Sequence, residues 1–210
     1  MAENVVNNYG WASAEGPNSC GYITPRILTV LRGLGVKRVL DVGAGNGKLC
    51  SVLQQAGYQV SGVEYDREGV ELARAQYPAI RFHQYGIQDD PSALMSHEGE
   101  AFDAVVSTEV IEHLFSPHLL PIYAAGVLKE GGHLVITTPY HGYLKNLALS
   151  LLDKWDVHHT PLWHGGHIKF WSRATLSELL GRHGFDVVDF SGVGRVPYLW
   201  KSMVLVARKR

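Results

Sequence analysis

Residues 107–114 read STEVIEHL, and within them Glu109, Glu112 and His113 fall at positions i, i+3 and i+4. On a helical turn that spacing puts two carboxylates and an imidazole on one face. They follow directly on the apolar run FDAVVST. Such a face suits three roles: a solvated or bracing turn, acid/base work by His113 or Glu109, or ligation of a metal ion. Which role holds depends on what the rest of the chain builds around it.

A second stretch with chemical content is VLDVGAGNG, residues 39–47. An apolar strand runs into Gly43, Gly45 and Gly47, and a helical pattern follows. Glycines there permit a sharp turn and a close backbone approach to a ligand. Asp41 stands at the strand end, and Glu64 closes the next strand, where an acid can accept both hydroxyls of a ribose. The third strand ends in QYGIQDD, a polar turn able to edge an adenine. A nicotinamide dinucleotide would call for G-x-G-x-x-G/A, but here the third glycine comes one residue early. A tight turn with no ligand is the alternative, against which three strand ends agree on one pocket.

The elements that position these residues alternate. TPRILTVLRGLG reads as a helix opened by Thr24 and Pro25 and closed near Gly33 or Gly35. KRVLDVG, YQVSGVEYD, IRFHQYG, FDAVVST and HLVITTP read as strands, separated by the helical patterns GKLCSVLQQAG, REGVELARAQYP and PHLLPIYAAGVLKEGG. SRATLSELLGRHG is a helix opened by Ser172 and ended by Gly184, and FDVVDFSGV and KSMVLVARK are late strands with no long helix between them. The expectation is an α/β fold: a doubly wound, mostly parallel seven-stranded sheet with an antiparallel last strand. At 210 residues the chain suits one domain, 1–210, with 1–23 as an N-terminal arm or lid and 139–167 as a substrate-side lid.

Composition narrows the function. A net charge of −1 supplies no long-range field for nucleic acid or an anionic membrane. Cys20 and Cys50 show no metal-like spacing and fit a reducing compartment. The first residues lack a signal-peptide pattern, and no apolar run approaches the roughly 20 residues that span a bilayer. A soluble, cytoplasmic protein is expected.

With these residues in view, the chain resembles the class I S-adenosylmethionine-dependent methyltransferases over roughly residues 24–208. The resemblance implies that Asp41, Gly43, Ala44, Gly45 and Gly47 hold the methionyl end of the cofactor. Glu64 would bind the ribose with Tyr65 beside the adenine, Ile87 and Gln88 would flank the adenine, and Ser107 and Thr108 would lie by the cofactor after strand four. Two groups within the family pair an E-x-x-E-H turn with a later histidine before a Lys-Phe step, here HIKF. They are the ubiquinone-biosynthesis O-methyltransferases and the small-RNA 3′-end 2′-O-methyltransferases. The second group's pattern implies Glu109, Glu112, His113 and His167 as ligands of a divalent cation. The first group's N-terminal helix, matched by TPR at 24–26, implies that Arg26 reaches the cofactor.

The implied chemistry is coherent. Methyl transfer from a sulfonium is an in-line displacement, and a hydroxyl is a poor nucleophile near neutral pH unless a cation lowers its pKa. Two carboxylates and two imidazoles suit Mg²⁺, Mn²⁺ or Zn²⁺. The acceptor expected is a small molecule with neighbouring oxygens, such as a catechol or a sugar diol. A metal-free enzyme using His113 as base, an RNA 3′-end acceptor, and a catalytically silent binding module are the alternatives; the charge argues against RNA. His141, His158, His159 and His164 each read as polar loop filling, but together they mark 139–167 as a cover over the substrate site. YLKNLALSLLDKW, residues 143–155, is an amphipathic helix whose apolar face is expected to pack on the domain, with a hydrophobic substrate wall or a weak membrane or lipid contact as alternatives. This segment and the short N-terminus depart from the ubiquinone pattern, which argues against a quinone acceptor. The oligomeric state is not legible.

Overall fold

A computed structural model describes residues 19–159, 161–162 and 166–210. Most of the 1–23 arm, and His164, therefore lie outside the described residues. Seven strands form one sheet: β1 (Arg38–Val42), β2 (Gln59–Glu64), β3 (Arg81–Gln84), β4 (Phe102–Thr108), β5 (Leu128–Pro139), β6 (Phe185–Val193) and β7 (Ser202–Lys209). Their order is β3-β2-β1-β4-β5-β7-β6. β1 to β5 pair in parallel, and β7 runs antiparallel to both its neighbours. The expected architecture holds.

The inner strands are legible because both sheet faces are covered, which makes them near-continuous apolar runs. Successive residues of β1 and β5 serve opposite cores. Leu40, Leu134 and Ile136 pack on one side with Leu120, Leu176 and Phe185, whereas Val39 and Val135 pack on the other with Ile27, Leu31 and Leu53. The helices are α1 (Cys20–Leu34), α2 (Lys48–Gln55), α3 (Arg67–Gln76), α4 (Pro91–Glu98), α5 (Leu119–Val127), α6 (Tyr143–Leu151), α7 (Trp155–His159) and α8 (Arg173–Arg182). Local chemistry sets their ends. Gly35 terminates α1 at φ +65°, Asp66 accepts from Glu68 N–H to start α3, and Ser172 and Thr175 form a capping box at α8.

Four differences from expectation have physical causes. Helix α1 starts at Cys20, so Pro25 lies inside it and residues 20–23 are helical rather than a loose arm. Helix α4 was not read from the sequence, although Asp90 caps it and Pro91 stands in its first turn. Strand β5 begins at Leu128, across a register shift beside Phe102 and Ala104. Most consequential is α6, whose buried residue is Lys145, while Tyr143, Leu144, Leu147 and Leu151 are exposed. The apolar stripe expected to pack inward faces outward. Among the described residues no helix is long and apolar enough to cross a membrane.

Candidate active site

A cavity of about 660 Å³ opens at the carboxyl ends of β1, β2 and β4 and beside the turn after β3, where the strand order reverses. Open α/β sheets bind ligands at this crevice. Its floor is the glycine loop. Gly43 sits at φ +83°, where a Cβ would collide with Val110, and Gly47 at φ +78°, where a Cβ would stand 2.7 Å from Phe82. The Gly43 and Ala44 N–H groups donate to Val63 O at 2.8 and 3.0 Å, and Gly45 N–H donates to Glu64 Oε2 at 2.8 Å. Gly43, Ala44 and Asn46 line the cavity; Gly45 and Gly47 shape the loop without lining it.

Asp41 and Glu64 face this space and are both buried. Cys50 Sγ–H donates to Asp41 Oδ2 at 3.4 Å, while Asp41 Oδ1 has no hydrogen-bond partner among the described residues. Burial pushes Asp41 up to about 7, with the Cys50 bond acting against that rise and the Glu64 charge adding to it. A ligand ammonium here would partner the orphan oxygen and restore the carboxylate. The donor set therefore fits the methionyl end that the resemblance implies. Glu64 accepts from Gly45 N–H and, through Oε1, from Asp66 N–H at 2.8 Å. Burial raises its pKa, and these backbone bonds act against the rise. A carboxylate offers about four lone-pair sites, so two stay available for ribose hydroxyls. Tyr65, Ile87, Gln88 and Thr108 also line the cavity.

Two residues implied as cofactor contacts do not line the cavity. Arg26 is not on the cavity wall: its guanidinium bonds Ser191 Oγ at 2.8 Å and Asp189 at 2.5 Å, tying α1 to β6. Ser107 Oγ donates to Val42 O at 2.9 Å, bracing β4 against β1, and the residue is fully enclosed. Sequence reading missed Cys20, Tyr85, Val110 and Phe115, which also line the cavity. Phe115, 83% exposed, stands on its rim; a bulky apolar residue directly after the acidic turn was the signal for it.

The E-x-x-E-H segment is not an α-helical turn. Glu109 lies at φ +54° and a single 3-10 turn, Ile111–His113, follows. A non-glycine residue held there costs on the order of 1–3 kcal/mol, a strain that clusters at functional sites. The left-handed residue breaks the shared face expected from the spacing. Glu109 turns toward β5 and β7, accepting from Thr137 Oγ1 at 2.9 Å and from Ser202 Oγ at 3.2 Å. Glu112 accepts from Thr138 Oγ1 at 3.0 Å, and its Oε1 is buried with no hydrogen-bond partner among the described residues. The segment carrying His167 folds onto this turn, since the Ile168 and Lys169 N–H groups both donate to Glu112 O, at 2.9 and 3.0 Å. Glu112, His113 and His167 bring ligand atoms within 4.8 Å of one another, a set that does not include Glu109.

Electrostatics marks the same place. Burial drives Glu109 up to about 7, with the Thr137, Ser202 and Lys145 interactions acting against the rise. Glu112 is pushed well above the carboxylate range by burial and by Glu109. His167 is drawn down to about 4 by burial, then by His113, His159 and Lys145. His113 Nδ1 lies 3.2 Å from Gly166 O. A carbonyl can only accept, so Nδ1–H is the donor in this bond. A buried orphan carboxylate oxygen next to two imidazoles suits a divalent cation, so the fit holds for Glu112, His113 and His167.

A family model described as a methyltransferase domain matches residues 20–189. The chain is similar to two ubiquinone biosynthesis O-methyltransferases. It is 29% identical over 171 residues to that of Roseobacter denitrificans, covering 78% of this chain and 65% of the relative. It is 30% identical over 175 residues to that of Ruegeria sp., covering 78% and 66%. The chain thus spans about two thirds of the length of these relatives. Among solved structures, magnesium protoporphyrin IX methyltransferase from Synechocystis PCC 6803 with bound SAH shares the fold at a TM-score of 0.66 and 18% identity, over 90% of this chain and 82% of that one.

Proposed function

Since the chain belongs to the class I S-adenosylmethionine-dependent methyltransferases, we propose that it methylates a hydroxyl oxygen of a small molecule with a neighbouring oxygen, such as a catechol or vicinal diol. The observation that carries this reading is the orphan Glu112 Oε1 beside His113 and His167, two histidines on the wall of the cavity that Asp41 and Glu64 also line. The name O-methyltransferase borne by the relatives supports oxygen as the acceptor atom.

S-adenosylmethionine, when bound, supplies the methyl group from its sulfonium. Glu112, His113 and His167 would hold a divalent cation, whether Mg²⁺, Mn²⁺ or Zn²⁺, which would lower the hydroxyl pKa. Asp41 holds the cofactor ammonium through its orphan oxygen, and Glu64 accepts the ribose hydroxyls. Tyr65, Ile87 and Gln88 flank the adenine. Val110 and Phe115 supply apolar surface to the cavity wall. Glu109, held by Thr137 and Ser202, keeps the turn in its left-handed bend and so aims Glu112 and His113. Gly166 O accepts from His113 Nδ1–H and so fixes the orientation of the ring.

The place of His113 on the cavity wall also supports a second reading, in which its imidazole takes the hydroxyl proton directly, without a metal. The outward apolar face of α6 supports a weak lipid contact, suited to an apolar acceptor. The test is incubation with methyl-labelled S-adenosylmethionine and a panel of catechols, vicinal diols and RNA 3′ ends. Label on a small-molecule oxygen is expected. Label on RNA alone, or on nitrogen or carbon acceptors alone, would overturn the assignment.

A further inference from the structure

A second histidine set lies in the 139–167 segment. His141 follows β5, His158 and His159 sit on α7, and the three bring ring nitrogens within 4.8 Å of one another. His141 is 9% exposed, and its Nε2 has no hydrogen-bond partner among the described residues. Both ring nitrogens of His159 are likewise buried and unpartnered among the described residues. Buried polar atoms are nearly always satisfied, and one ion could take His141 Nε2 together with one of the two His159 nitrogens. An aromatic collar surrounds them: Phe170 stands edge-on to His141 and His159 at 5.2 and 4.9 Å, and Trp155 stacks on His159 at 4.6 Å.

We infer that His141, His158 and His159 bind a borderline divalent cation, Zn²⁺ or a chemically similar ion, at a site separate from Glu112, His113 and His167. Three imidazoles with no carboxylate select zinc-like ions over Mg²⁺ and Ca²⁺, which prefer oxygen. Three protein ligands with a fourth position open are a familiar zinc arrangement. Burial, and next the Lys145 charge, draw all three imidazoles down, His141 to about 3 and His158 to about 4. The neutral imidazole is the form that ligates. Lys145 is drawn down to about 8 by burial and by the Arg195 charge, with Glu109 acting against that fall, and it donates to Lys201 O at 3.4 Å. Because His141 leaves the sheet and the other two ride on α7, the ion ties α7 to the end of β5. It would hold the substrate-side segment in place without taking part in methyl transfer.

The test is Zn²⁺ titration of the chelator-stripped full chain, read as bound equivalents and as the rise in melting temperature. His158→Gln and His159→Gln should each lose one Zn²⁺ equivalent per chain, and in a His167→Gln background His158→Gln should lose that equivalent in addition to any that His167→Gln loses alone. Co²⁺ in place of Zn²⁺ should give visible absorption bands that His158→Gln removes, and excess Mg²⁺ should not displace it. His158 lies on a five-residue helix with no buried residue, so His158→Gln should fold, and circular dichroism checks that it has. Unchanged Zn²⁺ uptake in His158→Gln, or uptake abolished only by His167→Gln, overturns the site. Failure of methyl transfer with this equivalent intact would instead count against the reaction assigned above.

Discussion

Glu64→Ala isolates the cofactor side of the account. The carboxylate faces the cavity and is spared for two ribose hydroxyls after it has accepted from Gly45 and Asp66. Hydrogen bonds to a charged acceptor contribute about 1.5–3 kcal/mol each, so two amount to about 3–6 kcal/mol. That corresponds to an affinity weaker by about 10²–10⁴-fold. The variant also frees the Gly45 N–H and relaxes the glycine loop, which adds to the loss. Glu64→Gln should fall between, since its amide keeps one oxygen but presents an NH₂ where an acceptor was needed. Titration calorimetry with S-adenosylhomocysteine measures binding without turnover, and a thermal melt in the same buffer checks the fold. A folded Glu64→Ala chain that binds within about threefold of wild type, well under 1.4 kcal/mol, would refute the ribose assignment.

The remaining predictions concern other parts of the molecule. Arg26→Ala should lower stability by no more than about 1 kcal/mol, because its partner Asp189 is substantially exposed, and should leave cofactor affinity unchanged; a large affinity loss by calorimetry would restore the contact that the structure removes. Asp41 has a folded pKa of about 7 against an ordinary value of 3.8. Its contribution is fully present below pH 3.8 and is lost as pH rises through about 7, so Asp41→Asn should gain melting temperature relative to wild type between pH 4.5 and 7.5 in the absence of ligand. A constant difference across that range would contradict the burial argument. Leu151→Asp should change stability by under about 0.5 kcal/mol, since the side chain is 77% exposed, and should reduce co-sedimentation with lipid vesicles; strong destabilisation would return the apolar face to the core.

The sheet and the glycine-loop wall of the cavity were legible in the sequence because their causes are local. A strand buried on both faces is a short apolar run, and glycines that must adopt positive φ come at a fixed spacing. The acidic turn was legible in composition but not in shape: i, i+3, i+4 counting assumes an α-helix, and Glu109 at φ +54° breaks it. The partners of Arg26, Ser191 and Asp189, were not legible because they lie more than 160 residues away in sequence. Helix periodicity revealed the stripe of α6 but not which side it turns to the domain, and Lys145 points inward instead. Convergence of His141 on His158 and His159 depends on the path of the chain after β5, which residue spacing does not encode.

The most direct test of the metal-assisted reading is the methyl-transfer rate of the chelator-stripped chain toward a catechol accepted in the labelling screen, with S-adenosylhomocysteine affinity measured in the same buffer. The account predicts that turnover is lost and that added Mg²⁺, Mn²⁺ or Zn²⁺ restores it. Cofactor affinity should stay unchanged, because Asp41 and Glu64 bind without the cation, and Glu112→Gln should reproduce the loss of turnover. Full turnover in chelator would contradict the metal role of Glu112, His113 and His167 and leave His113 as the base.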